Sequence, residues 1–308
     1  MGQVSAAADG IHAIDTRMCG RERVTSAYLV AGDEPAIVET GPTTSLDALL
    51  EGIHAVGIGP HDLAHIVVTH IHLDHAGGAG ALAPHFPDAT VWVHERGARH
   101  LADPTRLQKS AARVYGGEER LLELFGPLHP IPIERIESPE DGGKISLGNR
   151  WLEALHTPGH ASHHMCLVDS ETGALFTGDA LGVFLPDVRI LRPATPPPEF
   201  DLELAVASIE RVAERNPSVL LFSHFGSAEE VAHLCTLAVH RLRKWTRIVE
   251  EALRETENLV AITDRLRAET SPEYHSAVGD RAEEIGDRYE LLSSYEMNAM
   301  GLIRYLSR

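Results

Sequence analysis

Thr69-His70-Ile71-His72-Leu73-Asp74-His75-Ala76-Gly77-Gly78 decides the reading of this chain. It follows His65-Ile66-Val67-Val68-Thr69, a short β-branched run that reads as a buried strand and delivers the chain directly to His70. Three imidazoles and a carboxylate then fall within six residues. Borderline divalent ions such as zinc favour imidazole nitrogen and carboxylate oxygen. At a strand end, residues two apart can point the same way, so His70 and His72 can grip one ion. Asp74 and His75 lie a turn further and can face a second.

Working outward, similar junctions recur. A strand over Trp151–Leu155 ends at Thr157-Pro158-Gly159-His160. A hairpin pairs Met165–Val168 with Ala174–Thr177 and runs into Gly178-Asp179. Val219–Phe222 ends at Ser223-His224. A single His or Asp in such a place is usually a polar loop residue. Beside the His-x-His-x-Asp-His run the later three become candidate ligands, because each occupies the same kind of junction. His160 would complete the first set and His224 the second, and the two oxygens of Asp179 can bridge both. Two ions roughly 3.5–4 Å apart can share a hydroxide, a nucleophile available at neutral pH. His163 and His164 read as supporting or structural imidazoles, since ligating histidines need oriented neighbours. His12, His54, His61, His94, His100 and His129 have no partner pattern. Tyr115 and Phe184 could line a pocket, but core or loop packing is the leading reading for each.

The rest of the chain supports a mixed α/β class. Tyr28–Val30 and Ala36–Val38 flank Gly32-Asp33-Glu34-Pro35 as a hairpin. Leu46–Val56 has helical spacing, with Thr43, Thr44 or Ser45 as N-cap. Thr90–Val93 is another strand, and 95–132 mixes helical patterns into an insertion over one face. The proline-rich stretch Pro186–Pro198 is too long for a plain connector, which marks it as a functional loop. Asp201 caps a helix to Arg215. From Ala228 onward the pattern is helical, with a break expected at Ser271-Pro272 and one last helix over Asp280–Leu306. This divides the chain into a catalytic domain, 1–230, and a helical segment, 231–308, that covers the site or mediates a homodimer.

Composition narrows the partners. The 308 residues are 43% hydrophobic, enough for a sizeable core, and their formal net charge is −18. That field repels phosphate backbones and anionic membranes, although a local basic groove remains compatible with it. The expected partner is a small-molecule substrate, with neither nucleic acid nor membrane. Cys19, Cys166 and Cys235 are far apart and form no CxxC pair, so they read as reduced thiols of a cytoplasmic protein. Met1–Asp15 shows no signal-peptide pattern, and no apolar run approaches a membrane span.

The decisive stretch resembles the signature of the metallo-β-lactamase superfamily. Thr157-Pro158-Gly159-His160, Phe176-Thr177-Gly178-Asp179 and the strand ending at His224 match its later motifs in order, over roughly residues 20 to 230. The resemblance implies a four-layer αβ/βα sandwich, here with a C-terminal helical extension. It implies His70, His72 and His160 on metal one, Asp74, His75 and His224 on metal two, and Asp179 as bridge. The metals would be two divalent ions, zinc first, with iron or manganese as alternatives, and no organic cofactor is implied. Glu39-Thr40-Gly41 departs from the superfamily's usual Asp-Thr-Gly, and Gly182 stands where quorum-quenching lactonases commonly carry Tyr. His164 matches the second His of a glyoxalase II-like stretch.

The function read from this set is hydrolysis of a small ester, thioester or lactone by the shared hydroxide. Asp74 would be the catalytic residue that orients the nucleophile and carries a proton to the leaving group. Two alternatives stand beside it: a mononuclear iron oxidoreductase resembling the persulfide dioxygenases, and a metal-binding protein without catalysis.

Overall fold

A computed structural model describes residues 3–185 and 188–308. The described residues form two large sheets and a small hairpin. The first sheet runs in chain order through β1 (Val4–Ala8), β2 (Ile11–Asp15), β3 (Ser26–Val30), β4 (Ala36–Val38), β5 (His65–Val67), β6 (Thr90–Trp92) and β7 (Ile136–Glu137). It is antiparallel from β1 to β4 and parallel from β4 to β7. The second sheet contains β8 (Lys144–Ser146), β9 (Trp151–His156), β10 (Met165–Asp169) and β11 (Ala174–Gly178). After the separate hairpin of β12 (Val183–Leu185) and β13 (Ile190–Arg192), β14 (Val219–Phe222) joins parallel to β11, and β15 (Ser227–Ala228) closes the edge.

Alternation along the strands builds the layers. Tyr28, Val30, Val38 and Val67 point inward and meet Leu152, Met165, Leu167 and Phe176 of the second sheet. Ala27, Leu29, Ile37 and Ile66 point outward, onto α1 (Leu46–Ala55), α2 (Leu73–Ala76) and α3 (Ala79–Leu82). The insertion forms α4 (Glu95–Ala102), α5 (Thr105–Val114) and α6 (Glu118–Phe125). On the far side, Leu175, Leu220 and Phe222 share a core with α7 (Leu202–Glu214) and α8 (Val231–Leu253). Helix, sheet, sheet and helix are therefore four layers, and strands buried on both faces explain the unbroken apolar runs. The chain closes with α9 (Leu259–Val278), α10 (Ala282–Leu292) and α11 (Tyr295–Leu306).

The two sheets are tied at one end. The Tyr28 hydroxyl donates to the Phe222 carbonyl at 2.7 Å, and the Ser26 N–H donates to the Ser223 carbonyl at 2.8 Å. That fixes the end of β14, and so His224, against β3.

Ser45 stands at the N-cap of α1, as one of the three expected candidates, although its side chain makes no cap bond; the Thr43 and Thr44 hydroxyls donate instead to the carbonyls of Gly77, Pro127 and Leu124. Three other local expectations need correction. The proline-rich stretch is not all loop, since Ile190–Arg192 pairs with Val183–Leu185; Pro186 and Asp187 lie outside the described residues. Pro272 lies inside α9 rather than ending it. An interior proline costs ~3 kcal/mol, and the burial of Ile262, Leu266 and Thr270 along the same helix outweighs that local cost. The last helix is two, because Ser294 breaks it and caps α11 by accepting the Met297 N–H at 3.1 Å.

Candidate metal centre

The first donors arise where β5 ends. His70 is fully buried, and His72 sits in extended conformation just before α2. His160 reaches the same point from the second sheet on a loop that packs directly on α7. The Gly159 carbonyl accepts the Asp201 N–H at 2.8 Å, and the Ser208 hydroxyl donates to the Pro158 carbonyl at 2.6 Å. A Cβ on Gly159 would lie 2.3 Å from the Ala205 backbone, so only glycine lets the loop come this close.

Hydrogen bonds fix the imidazole tautomers. His160 Nδ1 lies 3.0 Å from the Ala194 carbonyl, which can only accept, so Nδ1 carries the proton and Nε2 a bare lone pair. The Thr69 hydroxyl donates to Glu39 Oε1 at 2.5 Å, so its oxygen accepts from His70 Nδ1 at 3.0 Å. His70 Nε2 is bare for the same reason. These two nitrogens lie 3.0 and 2.9 Å from His72 Nδ1. Three imidazole nitrogens thus converge with at most one proton among them. Burial and the neighbouring imidazoles push the pKa of His70 and His72 well below the usual value, which keeps them neutral donors.

A second set adjoins the first. His75 Nδ1 donates to Glu39 Oε1 at 3.1 Å, and its Nε2 lies 3.6 Å from Asp74 Oδ2 and 3.5 Å from Asp179 Oδ1. His224 Nε2 lies 3.1 Å from Asp179 Oδ1 and 3.7 Å from Asp74 Oδ2. Asp179 Oδ2 turns the other way, 3.5 Å from His160 Nε2. Its carboxylate therefore stands between the two sets. His75 Nε2, His224 Nε2 and Asp179 Oδ1 are buried with no hydrogen-bond partner.

The electrostatics call for a cation. Burial opposes charge on His75, yet the carboxylates of Asp74, Asp179 and Glu39 push its pKa well above the usual value. Burial would also raise Asp179, but the imidazoles of His224, His75 and His160 hold it well below the usual carboxylate range. Isolated buried anions are costly, so this group of carboxylates and bare imidazoles needs positive charge among them. The orphaned atoms and the fixed tautomers fit divalent metal. The donor atoms of His70, His72 and His160 lie within 4.8 Å of one another, as do those of Asp74, His75 and His224.

All seven residues singled out in the sequence meet here. Glu39, at the end of β4 with a φ of +69°, serves as their anchor. Its Oε1 also accepts the Ser223 hydroxyl at 2.9 Å, so that one oxygen gathers Thr69, His75 and Ser223. His164 is a support. Its Nε2 accepts the Asp179 N–H at 3.0 Å, so its Nδ1 donates to the Thr157 hydroxyl at 2.8 Å. A Cβ on Gly178 would lie 2.4 Å from that Nε2, so the turn into Asp179 also requires glycine. His163 packs nearby, with burial pushing its pKa down to about 4.

A cavity of about 510 Å³ opens from the centre, with His72, Asp74, His160 and Asp179 in its floor. Met18, Tyr115, Phe125, Leu292, Met297 and Met300 are among its walls, so α10 and α11 line the site. Tyr115 packs edge-on against Phe125 and also lines the cavity, while Phe184 lies tilted against Phe222 in the core. The visible signal for Glu39 was an acid closing the apolar run Ala36-Ile37-Val38. The Ala194 carbonyl has no side-chain signal.

Comparison with known proteins agrees with this geometry. The family model described as the metallo-beta-lactamase superfamily matches residues 20–224, and the chain belongs to that superfamily. It is 28% identical over 221 residues to the metallo-beta-lactamase fold-containing protein ST1585 of Sulfurisphaera tokodaii, covering 70% of this chain and 78% of that one. The crystal structure of ST1585 shares the fold with a TM-score of 0.68 at 23% identity, over 96% of this chain and 98% of that chain. Other relatives are named as thioesterases. The chain is 29% identical over 185 residues to the acyl-coenzyme A thioesterase MBLAC2 of Gallus gallus, covering 56% of this chain and 63% of that one. It is 32% identical over 158 residues to the atrochrysone carboxyl ACP thioesterase of Aspergillus chevalieri, covering 50% of this chain and 39% of that one.

Proposed function

We propose that this superfamily member is a metal-dependent hydrolase of a small carbonyl substrate, and that a thioester is the substrate class. The observation that carries the reading is the pair of donor sets with the Asp179 carboxylate between them. His70, His72 and His160 would hold one ion, Asp74, His75 and His224 the other, and Asp179 both. Two divalent ions bound there would supply a water-derived nucleophile at neutral pH and polarise the substrate carbonyl. The chain's own residues do the rest. Asp74 Oδ2 faces His75 and His224, which leaves Oδ1 to take a proton from the attacking water and pass it to the leaving group. Glu39, Ala194 and His164 hold the donors in place, and the apolar cavity wall excludes water from the acyl group. In the net reaction, water oxygen bonds to the carbonyl carbon, the carbon–sulfur bond breaks with its electron pair on sulfur, and a proton ends on the thiol. The names of the thioesterase relatives favour this class over ester and lactone.

Elemental analysis of untagged protein, with turnover of short acyl thioesters, tests the reading. Close to two zinc or similar ions per chain with thioester cleavage is expected, and Asp179→Ala should lose metal and activity together. One iron per chain with oxygen uptake on persulfides would replace the hydrolase by an oxygenase.

A further inference from the structure

The cavity has a second arm. Beyond His72 a narrower space of about 250 Å³ runs between Ile71, Leu107 and Ala111 on one side and Pro196–Pro198 on the other. Tyr115 and Met297 belong to the walls of both arms. The narrow arm reaches Arg106, His100, His163 and Glu199, and the last three also border an open recess flanked by Arg96 and Arg99.

This mouth is a basic island on an acidic protein. Residues 95–114 carry Arg96, Arg99, Arg106, Lys109 and Arg113 against only Glu95 and Asp103, while the whole chain has a net charge of −18. Arg120, Arg211 and Arg215 each sit in an ion pair, with Glu123, Asp141 and Glu153. Among the described residues no carboxylate comes within ion-pair distance of Arg96, Arg99 or Arg106. Of the two acids at the recess, Glu199 accepts the Ser162 N–H and hydroxyl at 2.9 and 2.6 Å, which holds its carboxylate toward Ser162, and it feels the charge of Arg96 without forming an ion pair with it. Glu95 stands in the first turn of α4.

We propose that the narrow arm receives the thiol half of an acyl thioester, and that Arg96, Arg99 and Arg106 bind a phosphate carried on that thiol. The proposal rests on the thioester reading above and adds the chemical identity of the leaving group. The apolar walls of Leu107, Ala111 and the prolines pass a slender chain from the centre outward. Guanidinium groups are suited to phosphate, since their planar forks match its oxygens. The surrounding negative field disfavours anions elsewhere on the surface, so the island sets where an anionic substrate lands. The acyl group takes the wider arm beside Met18, Phe125 and Met300, which places the carbonyl between the arms at His72 and Asp74.

The test compares butyryl-coenzyme A with S-butyryl-N-acetylcysteamine, which carries the same thioester without phosphate, on metal-loaded enzyme. The wild type should prefer the coenzyme A thioester in kcat/KM, and added salt should weaken that preference. In the double variant Arg99→Ala/Arg106→Ala the preference should fall at least tenfold, chiefly through KM. Equal kcat/KM on both substrates in the wild type, or an unaltered preference in the variant, overturns the phosphate site while leaving thioester hydrolysis standing. If neither substrate is cleaved, the thioester reading itself fails, and calorimetric binding of free coenzyme A decides the arm separately. Binding weakened at least tenfold in the double variant supports the site, and no binding to the wild type removes it. A thioester on a phosphopantetheinylated carrier protein preferred over butyryl-coenzyme A would overturn the assignment to a free thiol.

Discussion

Asn298→Ala is the perturbation that best separates the roles of the C-terminal helices. Asn298 is 1% exposed on α11, far along the chain from every metal donor. Its Oδ1 accepts the Thr195 N–H and the Thr195 hydroxyl, both at 2.8 Å. Its Nδ2 donates to Ser293 Oγ and the Ser294 carbonyl, again at 2.8 Å. Not all four partners would be stranded in the variant. The Thr195 hydroxyl can turn to the Asn298 carbonyl at 3.2 Å, the Ser293 hydroxyl donates to the Pro193 carbonyl, and the Ser294 carbonyl still accepts the Asn298 N–H. The Thr195 N–H is left without a partner, at a cost of about 1–3 kcal/mol, and each lost Nδ2 bond adds about 1 kcal/mol. Alanine returns about 0.5 kcal/mol as the better helix former. The expected loss is therefore about 2.5–4.5 kcal/mol in urea denaturation. The site should feel it too, because the carbonyl that orients His160 belongs to Ala194, next to Thr195. Outright loss of such an outer partner weakens metal affinity about 10–100-fold, so loosening the segment that carries the Ala194 carbonyl should weaken it by up to about tenfold. Zinc competition against a chromogenic chelator reads this directly. A variant that loses stability but keeps wild-type zinc affinity would refute the link from α11 to His160. A loss below about 1 kcal/mol would refute the hydrogen-bond account.

Three further outcomes follow from other parts of the structure. Glu39→Gln keeps the shape of the anchor but removes a buried negative charge, so zinc affinity at the His75 set should fall about 10–100-fold while the fold persists, as checked by calorimetry and circular dichroism. Gly159→Ala drives a Cβ to 2.3 Å from the Ala205 backbone; it should destabilise by more than about 2 kcal/mol and deplete metal at the His160 set, measured by denaturation and elemental analysis. His94 is held down to about 4 by burial and the adjacent His156 ring, below its ordinary value of 6.5. Its contribution to stability is complete above pH 6.5 and declines as pH falls from there toward 4, because the unfolded chain takes up the proton first. His94→Gln should flatten the fall in denaturation midpoint over that window, and an unchanged pH profile would assign the fall to other groups.

The convergence of the candidate donors was readable because each advertises itself twice, in side-chain type and in its place at the end of an apolar run. His70, His72, His160, Asp179 and His224 needed no tertiary information to be suspected. The supports were less readable. Glu39 looked like a departure from the expected aspartate, and only the fold shows that its carboxylate serves Thr69, His75 and Ser223 at once. The Ala194 carbonyl carries no side-chain identity at all. Tyr115 lies in a segment whose pattern fixes a helix but not which way its end faces. The missed break at Ser294 and the continuous helix through Pro272 have a common cause. Local preference was set against packing that the sequence pattern does not display, and at Pro272 packing prevailed. The acidic composition correctly described the whole surface yet averaged away the island on α4 and α5.

The hydrogen bonds from Tyr28 and Ser26 to the end of β14 join two halves that each own part of both donor sets. His70 and His72 need His160 from beyond residue 150, and Asp74 and His75 need His224 from near the end of the second sheet. A chain emerging from the ribosome would expose four good donors long before their partners exist, and would hold metal only loosely. Tight capture becomes possible when the sheets dock, so the ions would act as a late clasp on assembly. Metal retention should then report on the union of the halves, and fragments cut between β7 and β8 should hold together what neither can keep alone.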